Sequence, residues 1–133
     1  MMKQSSIVDF VIDLLGSVSN VSVISGYDSD WKAPNKIGLY VVNPKTNAGN
    51  PIIFSNGWKQ KIEDTIAIRI VSTGNAVENV WQVRRDIMQL VPGNHPNDGG
   101  VFRYGGGIIQ EFSPERIVID DNYFHEWWLT KNA

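Results

Sequence analysis

Cysteine is absent from the 133 residues, so neither a disulfide framework nor a cysteine-ligated metal site is available. Such a chain folds by packing alone, which suits a reducing compartment. Histidine is scarce: His95 and His125 are the two present, and neither has a second ligand at HxH or HxxxH spacing. No metal and no cofactor are expected. Long hydrophobic runs are missing as well. The apolar stretch after Ser6 is broken by Asp9 and Asp13, unlike the continuous core of a secretory signal. No segment approaches the roughly 20 apolar residues of a membrane span. Nor is positive charge in excess: the formal net charge is −2. Lys59, Lys61, Arg69, Arg84, Arg85, Arg103 and Arg116 are scattered among acids. Nucleic-acid binders draw most of their affinity from a basic patch that neutralises phosphates, so neither nucleic acid nor membrane is an expected partner.

The remaining composition, 42% hydrophobic and 20% charged, is that of an ordinary globular chain. Its length fits one domain, residues 1–133, with one real core. The clearest periodicity lies in residues 61–91. Lys61 to Thr73 alternates: Ile62, Ile66, Ile68 and Ile70 point one way, Glu63, Thr65, Arg69 and Thr73 the other. That predicts a half-buried strand, with Asp64 breaking the apolar face near its start. Thr73-Gly74-Asn75 reads as a turn with Asn75 as helix cap. Ala76 to Val91 follows as an amphipathic helix whose stripe is Val77, Val80, Trp81, Ile87, Met88 and Val91, stopped by Pro92-Gly93.

Elsewhere, Ser5 and Ser6 are candidate caps of a first helix with Ile7, Val8, Val11, Leu14 and Leu15 on one face. Val18 to Ser25 suggests a short strand, and Gly26 to Lys36 a loop. Ile37 to Val42 predicts a buried strand, and Asn43 to Trp58 a long loop carrying an apolar patch, Ile52-Ile53-Phe54. Asn94 to Gly100 reads as loop. Val101 to Tyr104, Ile108 to Phe112 and Arg116 to Asp120 predict short strands joined by Gly105-Gly106-Gly107 and Ser113-Pro114-Glu115. Asn122 to Lys131 predicts an aromatic-rich closing strand. The sum is an α+β fold: a mixed, mainly antiparallel β-sheet with two helices packed on one face.

Chemistry is sparse. Glu63-Asp64 and Asp120-Asp121 are neighbours on strands, so their carboxylates diverge. Asp9 and Asp13 share a helix face with nothing nearby to raise a pKa. Solvated charge is the expected role of all three pairs. The glycine triplet is followed by strand rather than by the helix a phosphate cradle needs, so a hairpin turn or bulge is expected. No GxSxG and no P-loop lysine occurs. His125, between Phe124 and Glu126, is expected at a surface or rim. Five tryptophans are the surplus. Trp127 and Trp128 face opposite sides of a strand, so one of them points outward, as interface aromatics do.

The order of elements, carried by Ile37 to Val42, Trp58 to Thr73, Ala76 to Val91 and Glu126 to Lys131, resembles the tail terminator (tail completion) proteins of long-tailed bacteriophages. The resemblance implies a virion structural protein located at the tail and neck, and no catalysis. Such proteins form a ring, commonly a hexamer, that caps the tail tube, ends tube polymerisation and meets the neck proteins that join tail to head. It also implies assembly contacts. Ile52, Ile53, Phe54, Trp58, Arg69, His95, Tyr104, Trp127 and Trp128 are the candidates. Head completion or adaptor proteins of the same neck are the nearest alternative. Two others are a monomeric binding module using Trp31 and Trp58, and a small enzyme with its site in Gly105 to Asp121.

Overall fold

In the computed structural model, residues 4–25, 36–94 and 100–132 are described. Their elements in chain order are α1 (Gln4–Leu15), β1 (Val23–Ser25), β2 (Ile37–Ala48), β3 (Ile52–Phe54), β4 (Gly57–Thr73), α2 (Val80–Leu90), β5 (Phe102–Phe112) and β6 (Arg116–Asn132). A 3-10 turn, Gly74–Glu78, leads into α2. The strands form one sheet in the order β1-β2-β4-β6-β5, with β3 beside β4 past the end of β2. β1 and β2 run parallel and the other pairs antiparallel. The α+β class and the mixed, mainly antiparallel sheet are those the sequence predicts.

Alternation on β4 sets the layers. Ile66, Ile68 and Ile70 join Leu39 and Val41 of β2 and Ile117, Ile119 and Tyr123 of β6 on one face. Ile7, Val11 and Leu15 of α1 and Val80, Val83 and Ile87 of α2 close over that face. The opposite face holds a smaller buried cluster of Tyr40, Val42, Ala67, Val71 and Val118. The middle of β4 is thus buried on both sides, which a half-buried pattern does not anticipate.

The longest departure from expectation is at Asn43 to Trp58. It is not a loop: β2 runs on to Ala48, β3 pairs with the start of β4, and β4 begins at Gly57. Pro44 sits in the register shift between Val42 and Lys45, a bulge that spares the ladder the amide proline lacks. β6 is likewise one 17-residue strand rather than two. Asp120-Asp121-Asn122 looks like a break, but arginines on both faces of the sheet neutralise the two aspartates, and that tertiary context overrides weak β propensity. The glycine triplet is a bulge inside a continuous β5, with a register shift between Tyr104 and Gly107. Gly106 has φ 95°, which favours glycine, and a Cβ on Gly105 would lie 1.7 Å from the Phe124 ring.

Three boundaries also move. The first strand is confined to Val23–Ser25. α1 starts at Gln4, so Ser5 and Ser6 lie in its first turn. Gly74, at φ 58°, turns the chain off β4 and donates to the Glu115 carbonyl at 2.8 Å. The α-helix therefore begins only at Val80, after Asn79. This phase makes Val80, Val83, Ile87 and Val91 the buried seam and leaves Trp81 exposed against Phe112, ring centres 6.3 Å apart. The loops expected at 26–36 and 94–100 fall almost wholly outside the described residues.

Ile68 is fully buried at the centre of the core, whereas Ile53 is 80% exposed. In urea unfolding, Ile68→Ala should lower stability by about 2–5 kcal/mol, and Ile53→Ala should change it by less than about 0.5 kcal/mol.

Candidate assembly surfaces

The pairing of β4 with β6 continues past the helix-covered core. At about 3.3 Å per residue, the stretch from Gly57 to Thr65 adds roughly 25 Å of ribbon. β2 borders this arm as far as Ala48↔Ile62, and β3 takes over at Ile52↔Lys59. At the junction the Gly49 amide donates to the Lys61 carbonyl at 2.9 Å, and the Gln60 side-chain amide donates to the Gly49 carbonyl at 2.7 Å. Ile52, Ile53 and Phe54 are exposed on this arm. Trp58 lies opposite Ile53 and is half-buried. Trp128 is 50% exposed, with the Lys59 ammonium 4.9 Å from its ring centre.

Trp127 does not share that exposure. It points to the helix side, is half-buried, and its indole N–H donates to Asp64 Oδ2 at 2.7 Å. Thr46 donates to the other Asp64 oxygen at 2.7 Å. Asp64 is therefore a buried acceptor rather than a solvated charge. His125 is completely buried, not at a rim. Register places it directly between Asp64 of β4 and Phe102 of β5. Its ring packs on Phe102 at 5.0 Å, and Nδ1 is 3.8 Å from Asp64 Oδ2. The signal was its parity: Ile119, Tyr123 and His125 all lie on the core-facing side of β6.

The Asp120-Asp121 pair is also not solvated. The two carboxylates diverge as alternation requires, and each meets an arginine. Asp120 accepts from Arg69 Nε at 2.6 Å and Nη2 at 2.7 Å, and from Gln110 at 3.2 Å. Asp121 accepts two bonds at 2.8 Å from Arg84 of α2 and a third at 2.8 Å from the Tyr104 hydroxyl. Bidentate pairing of this kind is the strong form of the ion pair. The Asp121 hydrogen bonds push the Arg84 guanidinium further above its usual range, against the opposing effect of burial. Burial, then the same carboxylate, raises the Tyr104 hydroxyl, so it stays a donor. Arg69 and Tyr104, expected as assembly contacts, thus spend their polar atoms inside the chain, although Tyr104 remains partly exposed.

On the outer face, Lys61 bonds Glu126 at 3.0 Å, and Arg103 bridges Glu126 and Glu63. Lys61, Arg103 and Glu126, with Val101, Trp127 and Trp128, line a shallow groove of about 450 Å³. Its charges face one another rather than converging on the space, so it offers no acid–base pair to a substrate. Among the described residues no three His, Asp or Glu side chains are placed to hold a metal ion, and no helix is long and apolar enough to cross a membrane.

The sequence matches no protein-family model, and no curated protein matches it.

A second apolar surface lies on the opposite edge of the sheet, where β5 has no outer neighbour among the described strands. Ile108 is 60% and Phe112 70% exposed, and Ile109 is exposed beside them. In sequence these residues read only as strand. Two consecutive isoleucines beside a glycine bulge were the available signal. His95 and Trp31 lie outside the described residues.

Asp121 is 1% exposed, so removing its partner strands a buried charge. Arg84→Met should cost about 3–5 kcal/mol in urea unfolding, and adding Asp121→Leu should recover much of that loss. The Lys61 ammonium, with Arg103 beside it, holds the Glu126 carboxyl below the usual carboxylate range. Its contribution is therefore present above that range and is lost as pH falls through the lowered value. Glu126→Gln should flatten the acid limb of a stability–pH curve relative to the unsubstituted chain.

Proposed function

We propose that this chain is a virion structural protein of the tail-terminator kind. It closes with copies of itself into a ring on the end of a phage tail tube, ends tube polymerisation and joins the tail to neck proteins. One observation carries the reading: exposed apolar side chains collect on two opposite edges of one sheet. Exposed apolar side chains gathered along a sheet edge mark contact with other proteins. A contact joining two different faces of identical subunits is heterologous, and it yields a ring when the rotation closes.

The disposition of polar groups supports the same reading. Asp64, Asp120 and Asp121 hold the sheet and helix in place through Thr46, Trp127, Arg69 and Arg84, so the carboxylates best placed for chemistry are already saturated. The side chains left over for an external role are mainly isoleucines and aromatics. The hexameric ring, the tube and the neck partners come from the resemblance in element order.

Native mass spectrometry and negative-stain electron microscopy test this directly. The expected result is closed rings of about six copies of the 14.9 kDa chain, formed at high concentration or on added tail tubes. The double substitution Ile53→Asp and Phe54→Asp should preserve the circular dichroism spectrum and abolish rings and tail attachment. Rings and attachment that survive this change would contradict the role given to the arm.

A further inference from the structure

At the tip of the arm, Asn56 is the one asparagine of the chain followed by glycine. Asn43 and Asn50 precede prolines, whose ring nitrogen has no proton to lose. Every remaining asparagine precedes a residue with a side chain, which crowds the next amide nitrogen. Gly57 has no Cβ, so its amide nitrogen is open to attack on the Asn56 side chain. Asn56 is exposed, in the turn that Ser55 and Asn56 make between the paired residues Phe54 and Gly57. Among the described residues no hydrogen bond engages its carboxamide. The turn is also weakly held. β3 is a three-residue strand, exposed throughout, and it pairs with β4 alone. Segments with so few buried contacts open locally at little free-energy cost, and an open turn lets the side chain reach the neighbouring nitrogen.

We propose that Asn56-Gly57 is a site of spontaneous covalent modification that releases β3 from the arm. Hydroxide takes the Gly57 amide proton, and the nitrogen forms a bond to Asn56 Cγ. The bond from Cγ to the side-chain nitrogen breaks, and that nitrogen leaves as ammonia with a proton from water. The product is a cyclic imide. Water then adds to one of its two carbonyls and opens the ring. Opening at the former side-chain carbonyl leaves aspartate. Opening at the former backbone carbonyl leaves isoaspartate, in which the chain runs through Cγ and gains a backbone carbon. A turn of two residues cannot absorb that extra length. Phe54 and Gly57 lose their register, and with them Ile53↔Trp58 and Ile52↔Lys59. The apolar tip of the arm is thus altered by time and pH without an enzyme. The chemistry needs no partner and does not depend on ring formation.

The test incubates the whole folded protein at mildly alkaline pH, with digestion in acid at successive times. Chromatography with tandem mass spectrometry locates each conversion of amide to carboxylate and separates isoaspartate from aspartate. Asn56 should convert ahead of every other asparagine, faster at higher pH and with isoaspartate as the larger product. The Asn56→Gln chain should lose the product. In NMR spectra of the purified isoaspartate form the cross-strand contact between Ile53 and Trp58 should be lost. It should persist in the Asn56→Asp chain, which gains the charge without the backbone carbon. Conversion at Asn56 no faster than at Asn47, or seen only after unfolding in urea, would overturn the site. An isoaspartate form that keeps the Ile53–Trp58 contact would overturn the release of β3.

Discussion

The antiparallel pairing of β4 with β6 is the constraint from which the rest of the molecule follows. It runs unbroken from Gly57↔Asn132 to Thr73↔Arg116, and a slip of one residue would exchange the two faces of a strand. Three independent features fix the register. The isoleucines of β4 and Ile117, Ile119 and Tyr123 of β6 must reach the helices together. Arg69 stands directly opposite Asp120 and grips it with two hydrogen bonds. Arg84 reaches down from α2 to Asp121, the next residue on the other face. Once the register is set, the same pairing carries the ribbon beyond the core and creates the arm.

Much of this architecture was legible from periodicity. The alternation of Ile62, Ile66, Ile68 and Ile70 and the helical spacing of Val80, Ile87 and Val91 are strong local signals, and they gave the α+β class. What could not be read was set by partners distant in sequence. Asn43 to Ala48 has the composition of a loop, and it becomes strand because Ile62 to Thr65 offers it a ladder. Asp120-Asp121 has the look of a solvated turn, and it is strand because two arginines, 51 and 37 residues away in sequence, neutralise it. His125 is polar and flanked by Glu126, yet register buries it between Asp64 and Phe102. Of the candidate contact residues, Ile52, Ile53, Phe54 and Trp128 are exposed, but Trp127 and Arg69 are occupied within the fold. No local pattern in the sequence distinguishes Trp127 from Trp128 by hydrogen bonding; only the placement of Asp64 does.

The division of labour among side chains gives the fold its functional character. Buried carboxylates are costly unless fully paired, and here the pairings consume them. Exposed apolar groups collect on two of the open edges of the described sheet, β3 and β5. In the assembly proposed above, the apolar side chains exposed in the isolated chain would become buried.

Hydrogen–deuterium exchange followed from dilute to concentrated protein tests the assembly claim most directly. The amides of residues 52–59 and of residues 106–113 should slow together as concentration rises, while residues 66–72 exchange slowly throughout. Exchange in both edge segments that is independent of concentration, or slowing in only one of them, would contradict the account.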